Sequence, residues 1–185
     1  MKQPKSGFSL LELCIAMAVM LIVGAMALPA LNRTIENYRL NASANAMKEM
    51  LLQAQTAARK SDQPYYANPV SPMLASAQSA SGAGSSPSAA TVGTVTFQGV
   101  PLGVNINDLL NALGGIPPAP PGTPIGFNAR GVPCTAPNPA NPYLCPGPTA
   151  FIWYMQNGSG AWGAVTISPA GRIRTWRYNP NGTWQ

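Results

Sequence analysis

Two successive apolar patterns predict one long helix at the start of the chain. Residues 8–28 form an almost uninterrupted apolar run that carries a single charge, Glu12. As a helix this run is about 31 Å long, close to the thickness of a bilayer core. From Asn32 to about Ser61, apolar residues recur at three- and four-residue steps, which indicates an amphipathic helix that packs on a sheet. We therefore expect a continuous helix over about residues 8–61, with its first part in lipid.

The amphipathic part, residues 32–61, is expected to present one apolar stripe. Its members are Ile35, Tyr38, Ala42, Ala46, Met47, Met50, Leu51, Ala54 and Ala58. Pro29 separates this part from the apolar run and removes one helical hydrogen bond, so it is expected to kink or loosen the helix. A plain break where the chain leaves the membrane is the alternative interpretation of Pro29.

The remaining residues alternate between Pro/Gly-rich stretches and short strand patterns. Residues 64–91 are rich in Pro, Ser, Ala and Gly, which predicts a flexible loop. Residues 91–106 are expected to form two strands broken near Gly99, and residues 107–113 one helical turn. Residues 116–148 form a second Pro/Gly-rich stretch.

The clearest strand signals lie near the C-terminus, at Thr149–Met155, Ala161–Ser168 and Arg172–Tyr178. Turn-forming Gly, Asn, Ser and Pro residues separate the three segments, which predicts an antiparallel meander. The sheet is expected over about residues 91–178. The fold class is therefore α+β, with a long N-terminal helix packed on a small antiparallel sheet.

Composition argues against catalysis. The chain has no histidine, which removes the commonest general base and the commonest metal ligand. Its five carboxylates are scattered, with no pair at a spacing typical of shared acid–base chemistry. We expect neither an enzyme nor a cofactor or metal site.

The N-terminus indicates where the chain resides. Lys2 and Lys5 precede the apolar run, which predicts a cytoplasmic N-terminal end and a single pass through the membrane. Residues 32–185 would then form a domain outside the cytoplasm. The alternative is an ordinary signal peptide that ends at Ala25-Met26-Ala27, although a glutamate inside the apolar region argues against it.

Glu12 is unusual because a carboxylate in an apolar membrane helix is costly unless it is paired or neutralised. No Lys or Arg lies within a turn or two downstream. A partner must come from the amino group of a shortened N-terminus, from another copy of the chain, or from the headgroup region. Simple snorkelling of the carboxylate to the interface is the alternative.

The run KSGFSLLEL, residues 5–13, resembles the processing site of type IV prepilins and type II secretion pseudopilins. The resemblance implies a leader peptide at residues 1–7, cleavage after Gly7 by a prepilin peptidase, and N-methylation of Phe8. It also implies that Glu12 pairs with the N-terminal amine of a neighbouring subunit during assembly. The chain would insert in the bacterial inner membrane with a periplasmic domain. It would then join other pilin or pseudopilin subunits in a filament through residues 8–31.

Cys134 and Cys145 flank a short loop, and outside the cytoplasm such a pair is expected to form a disulfide. Two cysteines without histidine do not make a zinc site. Cys14 lies in the apolar run and is interpreted as a small apolar residue.

The last predicted strand carries a cluster of cations. Residues 109–185 contain no acidic residue, and three of their four arginines are Arg172, Arg174 and Arg177. Alternation along a strand puts Arg172, Arg174 and Trp176 on one face and Arg177 on the other. The two guanidinium groups could contact phosphates, and the indole beside them could stack on a base. This arrangement predicts DNA binding that is independent of sequence and weakens with salt.

The segment GRIR, residues 171–174, resembles the Gly-Arg-x-Arg motif of the FimT minor pilins, and the layout resembles the wider GspH/FimT group. This resemblance implies DNA capture during natural transformation, through Arg172, Arg174 and Arg177. A solvent-facing or subunit-contacting strand edge is the alternative. Two further alternatives are a structural GspH-like secretion pseudopilin without DNA binding, and an abundant major pilin that polymerises alone.

Overall fold

The computed structural model describes residues 9–82, 84, 86–135, 140–147 and 149–185. The chain divides into two units, Met1–Ile35 and Glu36–Gln185, and each is described by itself. The expected cleavage site, between Gly7 and Phe8, lies outside the described residues.

The first element is helix α1, Leu10–Ser61, whose length of 52 residues confirms the prediction of one long helix. It runs through Pro29 without ending, so a helix break at that residue was the wrong alternative. The first unit contains the apolar part of α1, and the second unit begins within the same helix at Glu36.

In the second unit, α1 buries one stripe of apolar side chains against the sheets. The buried positions are Leu40, Ala44, Met47, Met50, Leu51, Ala54 and Ala58. The predicted stripe is correct from Met47 onward and wrong before it, because Ile35 is 39% and Tyr38 73% exposed. The observed stripe reaches back to Leu40 in three- and four-residue steps, which keep it on one face of the helix.

Five strands form the first sheet. They are β1 (Tyr65–Ser71), β2 (Leu74–Ser79), β3 (Ser88–Ala90), β5 (Ile125–Phe127) and β6 (Pro133–Cys134). The order is β3-β2-β1-β5-β6, and all neighbouring strands are antiparallel. All five strands lie in residues 64–91 and 116–148, the two stretches that the sequence pattern predicted to be irregular.

The predicted flexible loop over residues 64–91 is wrong, because β1, β2 and β3 occupy most of it. Ala67, Ala75 and Ala77 are fully buried in the core that also contains α1. Small side chains let strands approach a helix closely, and cross-strand pairing satisfies their backbone groups. The low apolar content of this stretch therefore reflected tight packing and not disorder.

The second sheet contains β4 (Thr96–Gln98), β7 (Phe151–Gln156), β8 (Trp162–Ile167) and β9 (Ile173–Arg177), in the order β4-β7-β8-β9. The antiparallel pairing of β7 with β8 and of β8 with β9 confirms the C-terminal meander. Helix α2, Asn107–Ala112, confirms the predicted helical turn. Residues 91–106 hold one strand instead of two, since the structure has no strand between Gln98 and α2.

The second sheet is buried on both faces. Phe151, Trp153 and Met155 of β7 join the core formed with α1. Ile152 and Tyr154, which alternate with them, join a second apolar cluster that includes Leu109 of α2 and Trp184. The α+β prediction is confirmed, although two sheets replace the single small one.

Candidate functional site

The first candidate site is the apolar part of α1, where large side chains stay exposed. In this unit they include Leu10, Leu11, Leu13, Ile15, Met17, Val19, Met20, Leu21, Ile22, Val23, Met26, Leu28 and Leu31. An 18-residue window of the helix has a mean hydropathy of 2.5, with none of it buried. Among the described helices, α1 alone is long and apolar enough to cross a membrane. A continuous apolar surface of this size requires lipid or another protein to cover it.

Glu12 lies in the first turn of α1 and is exposed among these apolar side chains. A carboxylate is favoured near the positive end of a helix. In the part of the chain that the structure describes, no Lys or Arg forms an ion pair with Glu12. Of the three N-terminal residues predicted to function, the structure thus places Glu12, whereas Gly7 and Phe8 lie outside the described residues.

The second candidate site is strand β9, which lies at one end of the second sheet and pairs with β8. Arg172 precedes the strand, and Arg174 pairs in register with Thr166 of β8. Both arginines are exposed. Within the described residues, neither guanidinium group forms an ion pair with a carboxylate. They are therefore available to an anionic partner.

Trp176 follows them on the same face, but its indole is part of the protein interior. Its Nε1–H donates a hydrogen bond to Thr166 Oγ1 at 2.8 Å. The ring packs half-buried against the second apolar cluster. An indole held in this way offers little free surface on which a base could stack.

Arg177 faces the other side of the sheet, as strand alternation predicts. It is half-buried and lines a small cavity of about 210 Å³ with Asn41 and Asn45 of α1 and with Gln185. The structure therefore brings Arg172 and Arg174 together and separates Arg177 from them.

The N-terminal segment matches a described sequence motif. Residues 2–28 match the model of the prokaryotic N-terminal methylation motif, a range that includes Gly7, Phe8 and Glu12. This motif supports a type IV prepilin-like protein. No curated protein and no solved structure matches the chain.

The motif implies a structural subunit that a prepilin peptidase processes and that assembles with other pilin subunits. The exposed apolar helix fits a membrane-anchored pilin. The match ends at residue 28, so it bears on α1 and not on the arginines of β9.

Gly171 of the GRIR segment has a structural role in the prepilin-like protein. Its φ of +78° is a conformation that only glycine adopts easily. A Cβ at this position would lie 2.7 Å from Nε2 of Gln55, a buried residue of α1. The glycine that precedes Arg172 is therefore explained by the approach of its turn to the helix.

Sequence reasoning missed Gln55. Its Nε2 donates hydrogen bonds to the carbonyl oxygens of Gly131, at 2.9 Å, and Gly171, at 3.2 Å. The Gln55 side chain therefore holds against α1 two turns that lie far apart in the sequence. The sequence signal for Gln55 is its position as a polar residue inside the apolar stripe of α1. That position does not reveal its role, which depends on the two carbonyl groups that it contacts.

Cys134 and Cys145 form a disulfide, with their Cα atoms 5.8 Å apart, which confirms the predicted pairing. Cys14 is exposed on the apolar part of α1. In the described ranges of the chain, no group of three or more His, Cys, Asp or Glu residues could hold a metal ion.

One cavity lies between the C-terminal part of α1 and the segment before β3. It has a volume of about 620 Å³ and is lined mainly by apolar groups, among them Leu52, Ala57 and Pro87. Lys60 and Tyr65 are the titratable residues among the described lining residues. The described lining contains no carboxylate and no cysteine.

Proposed function

We propose that the protein is a minor subunit of a type IV pilus or a type II secretion filament, and that it binds DNA non-specifically for natural transformation. The observation that carries the DNA proposal is the exposure of Arg172 and Arg174, side by side on one face and without carboxylate partners among the described residues. This arrangement supports the FimT-like interpretation of the C-terminal strand.

Electrostatics favours a polyanion as the partner. Residues 109–185 carry four arginines and no acidic residue, so the segment that contains β9 has a net positive charge. Guanidinium groups contact phosphate oxygens in a bidentate manner, and each neutralised phosphate releases counterions. Nothing at β9 resembles a helix or ribbon that enters the major groove, so binding is expected to be independent of sequence.

The assembly part of the proposal uses the N-terminal motif. A prepilin peptidase cleaves after Gly7 and methylates Phe8, and the mature chain starts in the inner membrane with residues 32–185 in the periplasm. Glu12 then pairs with the N-terminal amine of a neighbouring subunit, which sets the axial register of the filament. The exposed apolar residues of α1 supply the surface that exchanges lipid for neighbouring helices.

The DNA proposal is tested with the full chain in non-ionic detergent and a short labelled duplex, titrated over a salt series. We expect micromolar binding at low salt that weakens steeply as salt rises. The Arg172→Ala/Arg174→Ala double variant is expected to weaken binding at least tenfold. It is also expected to reduce the salt slope, which is the fall in log affinity per unit rise in log salt concentration, by about two, or one per lost phosphate contact.

Lys48→Ala is the matched control, since it removes a cation from the middle of α1 and is expected to leave binding unchanged. Equal binding by the double variant and the wild type would contradict the assignment to β9.

A structural role without DNA binding is the second candidate. The observation that favours it is Trp176, whose indole serves the protein interior and is not a free stacking platform. A GspH-like secretion pseudopilin would keep the arginines as a contact surface for other subunits. Absence of DNA binding by the wild type at low salt, together with loss of protein secretion on deletion, would support this role. A bald cell surface on deletion would instead indicate a major pilin.

A further inference from the structure

The turn that contains Gly131 lies directly against the turn that contains Gly171. Gln55 Nε2 donates to both carbonyl oxygens, at 2.9 Å and 3.2 Å. A Cβ at Gly171 would lie 3.3 Å from the Gly131 carbonyl oxygen. Arg130 and Arg172 are the sequence neighbours of these two glycines and both are exposed, so the contact brings together the two turns that carry them.

Arg59 adds a third cation at the same place. It follows Gln55 by one turn of α1, and its Nε donates to the Arg130 carbonyl oxygen at 3.1 Å. Its side chain lies so close to the turn that a Cβ at Gly131 would clash with that Nε. Arg59 is exposed and keeps its terminal amino groups for other partners.

The turn before Gly131 is rigidly held, which positions Arg130. The Asn128 side-chain oxygen accepts hydrogen bonds from the backbone N–H groups of Arg130, at 3.0 Å, and Val132, at 2.8 Å. Asn128 Nδ2 donates to the Tyr143 carbonyl oxygen at 2.9 Å. The Arg130 guanidinium carbon then lies 5.7 Å from the centre of the Tyr143 ring, which is a cation–π arrangement.

Carboxylates are scarce around this cluster. Asp62 is the acidic residue nearest in the chain to Arg59, and it lines a depression that includes Pro142, the neighbour of Tyr143. Among the described residues, Asp62 forms no ion pair with Arg59 or Arg130. The ion pair that the structure shows joins Arg39 and Glu36, at the start of the second unit. The cluster therefore retains a positive excess.

We propose that Arg130, supported by Arg59, is a further nucleic-acid contact that extends the DNA surface of β9 onto the turn at residues 128–132. This inference rests on the proposed DNA function. Because the two turns touch, a DNA strand bound at Arg172 would also pass the turn that carries Arg130. Stacking on Tyr143 limits the freedom of the Arg130 side chain and lowers the entropy lost on binding.

The test compares Arg130→Ala, Arg130→Lys and wild type, each as the full chain in non-ionic detergent, with a short labelled duplex over a salt series. We expect Arg130→Ala to bind about three- to tenfold more weakly at low salt, with a salt slope lower by about one. Arg130→Lys keeps the charge and is expected to restore the slope. Lys48→Ala is again the matched control, and equal melting temperatures establish that the variants fold.

The outcomes separate this inference from the function on which it rests. Wild-type binding that Arg172→Ala/Arg174→Ala abolishes, with Arg130→Ala unchanged in affinity and slope, overturns the contribution of Arg130 and leaves the DNA function standing. A wild-type chain that does not bind DNA at low salt overturns both. A lower slope for Arg130→Ala than for Lys48→Ala supports the extended surface.

Discussion

Glu36, the first residue of the second unit, connects α1 with two loops. Its carboxylate accepts hydrogen bonds from Arg39, at 2.8 Å, and from the Thr94 hydroxyl. Thr94 Oγ1 in turn accepts from the Gly158 N–H at 3.1 Å. The Thr94 hydroxyl, followed by Arg39, lowers the pKa of Glu36 below its ordinary value of 4.5. Ionised Glu36 is therefore favoured in the folded state.

The pKa of Glu36 predicts an acid-dependent contribution to stability. Because the folded-state pKa is lowered, the contribution is present above about pH 4.5 and is lost as pH falls through the folded value. We expect Glu36→Gln to lower the melting temperature at pH 7, and the difference from wild type to shrink at pH 3. Thermal unfolding of the full chain in detergent measures both.

Glu49→Gln removes an exposed carboxylate from the same helix and is the matched control for Glu36→Gln. Thr94→Val removes the main hydrogen-bond donor and is expected to weaken the same pH dependence. A melting temperature difference that stays constant between pH 7 and pH 3 would contradict the assigned role of Glu36.

At the scale of elements, sequence pattern was most informative where the apolar content was high. Helix α1 and strands β7, β8 and β9 were predicted close to their observed bounds, because alternation and helical periodicity are strong there. Strands β1 and β2 were missed because Ala and Ser have weak strand preferences. Their burial depends on α1, which lies elsewhere in the chain.

The Cys134–Cys145 disulfide closes a short loop at the end of β6. The cysteines are 11 positions apart, so the chain-entropy estimate for a loop of this size is about 3 kcal/mol. We expect Cys134→Ser/Cys145→Ser to lower the free energy of unfolding by about that amount, measured by chemical denaturation. Cys14→Ser is the matched control, because that thiol is exposed and unpaired.

The disulfide also bears on the extended basic surface. Tyr143, which lies beneath Arg130, belongs to the closed segment. The double serine variant is therefore expected to bind DNA more weakly than Cys14→Ser at the same salt.

In the stability measurement, a double serine variant whose free energy of unfolding equals that of wild type would contradict a stabilising role for the disulfide. It would show that the hydrogen bonds of the Asn128 side chain suffice to order the turn.

At the scale of the whole molecule, the two units make different demands on their surroundings. The second unit buries a core of its own in two apolar clusters. The first unit leaves its apolar residues exposed and therefore requires lipid or neighbouring helices. In the proposed filament, neighbouring helices would supply that environment, and the partner of Glu12 would be found there.

Glu12 is expected to control assembly and not the folding of the second unit. Glu12→Ala should reduce incorporation into sheared filaments at least tenfold, while the chain still accumulates in the membrane fraction. Glu12→Asp keeps the charge and is expected to restore part of the incorporation. Immunoblots of membrane and filament fractions measure both, and unchanged incorporation of Glu12→Ala would contradict the pairing. Glu49→Gln, which changes an exposed carboxylate outside the motif, is the matched control for this experiment.

The sequence alone determined the N-terminal motif, the long helix, the C-terminal meander and the disulfide pairing. Each of these depends on residues that are close in the chain or on strong apolar periodicity. Tertiary structure alone decided that β1 to β3 are strands and that Trp176 packs half-buried against the second apolar cluster. It also brought Arg59 and Arg130 to the start of β9, because Gln55 holds two turns that lie 40 residues apart in the chain. Contacts across such separations depend on packing geometry, which no local pattern of residues encodes.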